Sequence, residues 1–392
     1  MGGVFSNSSC PSSPTSGQNV NEITITGLGT QWPSNVITAD DIEKFALSLY
    51  PADAPWLQRL LRINAQTGIE TRSVVNIWAD SRWRQKEPPK AEEVDAVWRQ
   101  YGVQLSKEAA KKALLDSHIE AMSITHVVAV TATNAGSPGY DQSVARELDI
   151  PADAERFLIS GVGCAGGLAA LRMASNLALA ATHQDRPARI LVLACEICSL
   201  YISSEFHQAA SSQTGGIGLT LFGDGAAALV VCNSKGLSDG EKDLPKRFSV
   251  VDWRSFITPD THAEMEFKIN SSGFQLLLSK NVPKLAAMSL SQPFQSLTRS
   301  NNMPSAVPTE FDWALHPGGL SIIKGAEAAM GISKELLAAT YEIYRTRGNA
   351  SSVAVLAVID QMRNMEMRRQ DIIAASFGPG LTTEMALLRR WK

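Results

Sequence analysis

Charged side chains are scarce in this chain: Asp, Glu, Lys and Arg supply 19% of its 392 residues, where soluble domains average about 25%. Such a surface is expected to be covered in part, most simply by a second copy of the chain. An excess of positive charge is lacking too. The net charge is −3, so no global field holds nucleic acid or an anionic membrane, and a nucleic-acid-binding role is excluded on that ground. No apolar run reaches the roughly 18 residues of a membrane span, and the N-terminus lacks the basic-then-apolar order of a secretory signal. The five cysteines are odd in number and widely scattered, which is not a disulfide framework. A reduced, cytoplasmic protein is the expectation.

What is present suffices for two or three domains of about 150 residues, or for one large unit made of two similar halves. Residues 1–20 are rich in Ser, Gly, Pro and Asn without a single charge, and a segment that cannot offset its ordering entropy is expected to be a disordered tail. Its first six residues, Met1-Gly2-Gly3-Val4-Phe5-Ser6, fit the N-myristoylation pattern, and Cys10 could carry a second acyl chain. Weak membrane association would follow if Gly2 is modified; a plain tail is the alternative.

From Ile23 onward, strand and helix patterns alternate, which makes the class α/β. The runs 23–30, 124–133, 156–160, 189–195 and 225–231 read as strands, and runs apolar on both faces suit buried parallel strands. A helix is expected from Ser106, as its cap, to Ala121. The polar stretch 232–247 reads as a linker, dividing the chain into halves 21–240 and 241–392. Beyond it the pattern gives a strand from Phe248, a helical stretch near Phe274 to Ala287, a strand at Asp312–Leu315, helices from about Ser321 and Ser333, and two final strands. The halves resemble each other. Gly163-Cys164-Ala165 and Gly348-Asn349-Ala350 each open a small-residue helix, and each is followed by a Phe-Gly-x-Gly turn, at Phe222 and Phe377. An internal duplication explains this, with an insertion in the first copy.

Two motifs mislead. Gly161 to Gly166 satisfies G-x-G-x-x-G between a strand and a helix, but the next strand's acidic residue, Glu196, lies too far on and the second half has no glycine triplet. A nucleotide-binding oxidoreductase is therefore a remote alternative. Cys195 and Cys198 form a C-x-x-C with no second pair to complete a zinc site, and with His262-Ala263-Glu264 they echo a zinc deaminase signature in reversed order. Two structural thiols and no metal are the expectation.

Cys164 is the candidate nucleophile. It sits where a loop meets a helix N-terminus, whose partial positive charge favours a thiolate, and Gly161, Gly163, Gly166 and Gly167 permit close approach of a substrate. A buried structural cysteine is the ordinary alternative. Of the six histidines, His316 in Trp313-Ala-Leu-His316-Pro-Gly-Gly319 ends an apolar strand before a turn and a helix, as a partner for Cys164 would. His118 and His126 have ordinary structural settings, and His183, His207 and His262 polar or loop-like ones. Asn349, at the helix start equivalent to Cys164, could add an amide donor.

Taken in order, Gly163-Cys-Ala-Gly-Gly167, Leu221-Phe-Gly-Asp-Gly-Ala226, His316-Pro-Gly-Gly319, Gly348-Asn-Ala-Ser-Ser352 and Phe377-Gly-Pro-Gly-Leu381 resemble the type III polyketide synthases, the chalcone synthase-like branch of the thiolase fold. The match runs from about Ile23 to the C-terminus. The resemblance implies a duplicated five-layered αβαβα fold, a homodimer, and a Cys-His-Asn site reached by a pantetheine tunnel, with acyl-CoA and malonyl-CoA as substrates and neither cofactor nor carrier protein. Cys164 would take the starter acyl group, His316 would keep it a thiolate and donate to the thioester oxygen, and Asn349 with His316 would hold the enolate left by loss of CO2. Phe222 and Phe274 match the two aromatic residues between tunnel and cavity, an apolar wall that disfavours the charged carboxylate.

The same resemblance puts Ser351, Pro379 and Gly380 among the substrate-binding positions. Arg59 and Arg62 fall at two CoA contacts and Gln66 at a third, within a stretch from Trp56 to Lys90 holding seven basic residues and three acidic ones. Cys198 and Tyr201 stand at two cavity threonines, Ser137 at a methionine that reaches across the dimer in plant enzymes, and Ser376 at a loop glycine. These departures resemble fungal members with aliphatic starters. The expected reaction is therefore a fatty acyl starter, a few malonyl extensions, and release as an alkylpyrone, alkylresorcinol or resorcylic acid. A ketoacyl-synthase III type enzyme is the nearest rival, although it usually presents His-Gln-Ala-Asn where this chain has His316-Pro-Gly-Gly. Retention of Cys164, His316 and Asn349 argues against a noncatalytic binding protein.

Overall fold

The computed structural model describes residues 22–213, 216–239, 242–270, 273–366 and 369–391; the expectations for residues 1–20, including Gly2 and Cys10, lie outside them. One mixed sheet organises the chain. Its strands are β1 (Ile23–Gln31), β2 (His126–Val130), β3 (Glu155–Ile159), β4 (Arg189–Ile197), β5 (Asp224–Asn233), β6 (Phe248–Ile257), β9 (Asp312–Leu315), β10 (Asp371–Gly378) and β11 (Thr382–Arg390). A separate hairpin pairs β7 (Met265–Asn270) with β8 (Gly273–Leu278). The sheet order is β9-β10-β11-β6-β1-β5-β4-β2-β3.

The duplication is visible in that order. Outward from the middle, β1 pairs antiparallel with β5 and β5 with β4, while β4 and β3 each pair parallel with β2. On the other side β6 pairs antiparallel with β11 and β11 with β10, and β10 pairs parallel with β9. The halves join at two residue pairs, Thr24 with Ser249 and Ile25 with Phe248. The expectation of buried parallel strands thus holds for β2 and β4; β3 is parallel to β2 but lies at the sheet edge with its residues exposed or half-buried, and β5 is buried but antiparallel to both neighbours. Burial on both faces does not require parallel pairing when helices cover each side.

Helices α1 (Pro55–Gln66), α2 (Ala91–Ser117), α3 (Gly166–His183), α4 (Ile202–Ser212), α5 (Val282–Met288), α6 (Ser291–Ser300), α7 (Leu320–Met330), α8 (Ala338–Arg347) and α9 (Ser352–Met362) complete the framework. Alternating side chains on the strands feed different cores. On β4, Leu191, Leu193 and Cys195 join Ala109 and Ala113 of α2, whereas Ile190, Val192 and Ala194 join Leu168 of α3 and Val353 and Leu356 of α9. On β10, Ile372 and Ala374 enter that central cluster, while Ile373 and Ala375 meet Leu297 of α6 and Ile323 of α7. Helix, sheet, paired helices, sheet and helix give five layers, the thiolase-like arrangement. The central pair packs closely because Gly167 has no side chain; a Cβ there would lie 2.3 Å from the Ser352 carbonyl oxygen.

Several local expectations change. The stretch Gly163–His183 is long and apolar enough to cross a membrane by length and composition, contrary to the reading that no run is, yet it forms the turn before α3 and the mostly buried α3 itself in the central layer. Helix α2 begins at Ala91 rather than Ser106, with the Lys90 N–H donating to Glu93 Oε2 at 2.9 Å, and Ser106 is buried in mid-helix. Phe274 lies on a strand, paired with Ile269 across the hairpin, and the helix starts only at Val282. The stretch 232–247 is tied into the core: the Asn233 amide bonds Ala188, Gly236 and Arg186, and Leu237 and Leu244 are buried.

Candidate active site

Cys164 lies in a tight turn, Gly163–Ala165, that leads into α3. Gly163 has φ +50, and a Cβ there would sit 2.6 Å from Pro379 Cδ, so the Pro379-Gly380 loop lies directly against the Cys164 turn. Cys164 is buried, and its Sγ donates to Ser351 Oγ at 3.4 Å. Ser351, at φ +48 just before α9, donates its backbone N–H to Asn349 Oδ1 at 2.8 Å. Backbone bonds pin Asn349 against Phe222: its N–H donates to Leu221 O at 2.9 Å, and the Gly223 N–H donates to its carbonyl at 3.0 Å.

The link continues to His316. Asn349 Nδ2 donates to Gly318 O at 3.4 Å, and the Gly318 N–H donates back to His316 O at 2.9 Å. His316 leaves the end of β9, its N–H bonded to Ala375 O of β10, and a Cβ on Gly318 would lie 3.3 Å from its Nε2. Its Nδ1 is buried without a hydrogen-bond partner among the described residues. The duplication therefore brings Cys164, Ser351, Asn349 and the His316 turn to one place at the start of the two central helices. Among the described residues no direct hydrogen bond joins Cys164 to His316.

Burial governs the charges here. It pushes the Cys164 thiol up to about 12; the Ser351 and Asn349 hydrogen bonds pull the other way, while Glu196 adds to the rise. Burial pushes the His316 imidazole down to about 3. For each group alone the neutral form is favoured, and a helix N-terminus worth at most about 2 kcal/mol does not reverse that for the thiol. Charge separation therefore needs both partners, or a substrate, to supply compensating interactions. Glu196, the acid of the dinucleotide-like pattern, is occupied structurally: it accepts from Ser352 Oγ at 2.5 Å, Thr133 Oγ1 at 2.9 Å and the Ala132 N–H.

Phe222 lines an inner cavity. Cys198, Tyr201, Phe274, Phe267, Ile202 and Leu276 are among its walls. Phe274 stacks edge-on against Tyr201, ring centroids 4.5 Å apart, and the Tyr201 hydroxyl donates to Thr133 O at 2.6 Å. The aromatic beside Phe222 is Phe267 on β7, at 6.4 Å between centroids, and Phe267 also approaches within 3.8 Å of a Cβ position on Gly163. Sequence reasoning missed Phe267, although its alternation with Met265 and Ile269 is a strand signal. Cys195 bonds Gly102 O of α2, away from Cys198, and both are free thiols.

A second, open pocket reaches Leu221, Gly318 and Gly319. Ile63 and Gln66 of α1 line it, as do Lys280 and Lys324; Arg59 and Arg62 stand on the same helix but are not among its walls. The basic stretch does not form one face. Arg72 is buried, donating to Asn64 Oδ1 and Leu219 O, and Arg82 pairs with Asp80. Lys280 and Lys324 are the basic groups that sequence reasoning missed. Among the described residues no group of three His, Cys, Asp or Glu side chains is arranged to hold a metal ion.

Comparison with known proteins agrees with this geometry. The family models of chalcone and stilbene synthases match, the N-terminal domain over residues 13–235 and the C-terminal domain over 250–391. The type III polyketide synthase pspB of Penicillium soppii is 38% identical over 383 residues, covering 93% of this chain and 96% of its own. The acylalkylpyrone synthase csyB of Aspergillus oryzae is 30% identical over 377 residues, covering 94% of each. Among solved structures, a type III pentaketide synthase from Neurospora crassa superposes with a TM-score of 0.90 at 35% identity, and CsyB complexed with CoA-SH with 0.90 at 30%. Each covers 94% of this chain and 100% of the solved one.

Proposed function

This chain belongs to the chalcone and stilbene synthase family and is a type III polyketide synthase, an acyl-transferring condensing enzyme that uses malonyl-CoA; we propose that it extends a fatty acyl starter held on Cys164 and releases an alkylpyrone, alkylresorcinol or resorcylic acid. The observation that carries this reading is the position of the Cys164, Ser351, Asn349 and His316 cluster, with an open pocket at Gly318 and an apolar cavity beyond Phe222. The solved relative titled as a CoA complex supports CoA thioesters as substrates.

In the first step Cys164 gives its proton to His316, and its sulfur attacks the starter thioester carbon. The carbon–sulfur bond to CoA breaks, and His316 returns the proton to the departing CoA thiolate. Malonyl-CoA then enters the open pocket. Its carboxylate leaves as CO2, the bonding pair remains as an enolate, and Asn349 Nδ2 and His316 donate to the enolate oxygen. The enolate carbon attacks the acyl-Cys164 carbonyl and Cys164 leaves as thiolate. Phe222 and its aromatic neighbours wall the carboxylate from water, which favours neutral CO2 over the anion.

Lys280 and Lys324 are suited to the CoA phosphates at the pocket mouth, with Arg59 and Arg62 nearby. The scarcity of charge and the exposed Leu158 on the edge strand β3 favour a homodimer. The test is incubation of purified protein with labelled malonyl-CoA and a panel of acyl-CoA starters, with identification of products. Long-chain alkyl-substituted pyrones or resorcinols are expected. Strict dependence on malonyl-carrier protein would place the chain instead with the ketoacyl-synthase III enzymes.

A further inference from the structure

Two cavities meet at Glu205. Its side chain, in the first turn of α4, borders both the inner cavity and the open pocket, and among the described residues Leu276 of β8 is the one other residue that does so. Backbone encloses the carboxyl. The Leu276 N–H donates to Oε1 at 3.4 Å, the Leu219 backbone also favours the ionised form, and a Cβ on Gly216 or Gly218 would fall 2.6 or 3.0 Å from Oε2. Among the described residues no cation pairs with it. Arg72, the buried cation of the inner cavity, commits its terminal nitrogens to Asn64 Oδ1 and Leu219 O.

A carboxyl between apolar walls without a counter-charge is costly in its ionised form. Burial pushes Glu205 up to about 7, so at and below neutrality it carries an O–H donor in a cavity otherwise walled largely by Phe222, Phe274, Ile202 and Leu276. The alkyl part of a fatty acyl chain has no use for such a donor. Each malonyl extension, however, adds one ketone oxygen, an acceptor, to the end of the chain nearest Cys164.

We propose that Glu205 is a positioning residue for the growing β-ketoacyl chain, donating to a ketone oxygen where the chain passes between the two cavities and so setting the register in which the ring closes. This rests on the polyketide synthase reading. The charged and titratable groups around it are Tyr201 and His207 on its own segment, Cys198 and Arg72 in the inner cavity, Tyr344, Lys280 and Lys324 in the open pocket, and Arg59 and Arg62 on α1. The strand β8 and the segment 216–221 contribute none. Burial moves Cys198 and Tyr201 upward, away from neutrality, and leaves Arg72 at about 10. Of the groups lining the inner cavity, Glu205 is the one that titrates near pH 7.

The experiment is chromatography with mass spectrometry of the product mixture from one fatty acyl-CoA and malonyl-CoA, at pH 6 to 8, for wild type, Glu205→Gln and Glu205→Leu. The ratio of fully extended ring product to truncated shorter product should fall at least fivefold from pH 6 to 8 in wild type. Glu205→Gln, which keeps a neutral donor, should hold the pH 6 ratio throughout, and Glu205→Leu should give the low ratio at every pH. The proposal is overturned by a wild-type ratio independent of pH, by an equal pH response in Glu205→Gln, or by a folded Glu205→Leu enzyme that makes the wild-type mixture. Should Glu205→Leu fail to fold in a melting test, the wild-type and Gln profiles decide alone. A wild type that makes no malonyl-dependent product overturns the polyketide reading itself.

Discussion

Ser352 Oγ donates to Glu196 Oε1 at 2.5 Å, which ties the first residue of α9 in the second half to the end of β4 in the first. The bond crosses the central layer immediately beside Ser351, the partner of Cys164. Among the described residues no cation pairs with Glu196; burial raises its carboxyl, and the donors from Ser352, Ala132 and Thr133 lower it. Ser352→Ala removes one donor from a fully buried carboxyl and should cost about 1–3 kcal/mol of stability, read by urea denaturation. It should also slow starter loading, because Ser351 and Asn349 are placed by the same helix start. A stability equal to wild type would contradict this account of how the halves are joined.

Asp224 of the Phe222-Gly-Asp-Gly turn is a second buried carboxyl that shapes the cavity wall. It accepts from the Val75 N–H at 2.7 Å, the Ser199 N–H at 2.8 Å and Ser199 Oγ at 2.5 Å, and burial pushes it up to about 6 despite those bonds. A raised carboxyl means that the folded state holds a proton the unfolded chain has released. Its contribution is therefore present below the unfolded value near 4 and is lost as pH rises through about 6. Relative to Asp224→Asn, the wild type should lose on the order of 3 kcal/mol between pH 4 and pH 7, measured as the difference between two denaturation series. A relative gain over that range would reverse the sign and refute the assignment.

Phe267 and Phe274 differ in what they touch, and their variants should separate. Phe267 adjoins Phe222 and the Cys164 turn, so Phe267→Ala should slow malonyl-CoA decarboxylation by about tenfold, a loss of roughly 1.4 kcal/mol in the barrier step. Phe274 packs on Tyr201 in the inner cavity, and Phe274→Ala should alter the starter preference more than the decarboxylation rate. Release of CO2 from labelled malonyl-CoA checks the first, and competition between short and long starters the second. Equal effects on decarboxylation would merge the two roles.

The contrast between those two residues shows where sequence reading stops. The turns that carry Cys164, His316 and Asn349 are legible because each holds glycines its own neighbours require: Gly163 at φ +50 and Gly348 at φ +68 admit no ordinary side chain without strain. The paired order of the two sheet halves is legible for a related reason, since repeated motifs imply repeated packing. Phe274 reads as helix because a short run of Phe and Leu suits either period, and only its pairing with Ile269 decides for a strand. Arg72 reads as part of a basic surface, yet Leu219, 147 residues away, claims its guanidinium. Lys280, just before α5, and Lys324, on α7, reach one pocket from separate parts of the chain, a convergence no local pattern carries.

The central claim is that Cys164 carries the growing acyl chain, and mass spectrometry of the intact protein after incubation with a fatty acyl-CoA tests it most directly. Wild type should gain the mass of one acyl group, and His316→Ala should gain it at least tenfold more slowly at pH 7. Cys164→Ala should gain none and make no polyketide when malonyl-CoA is added. An acylated Cys164→Ala protein, or one that still forms polyketide, would contradict the mechanism.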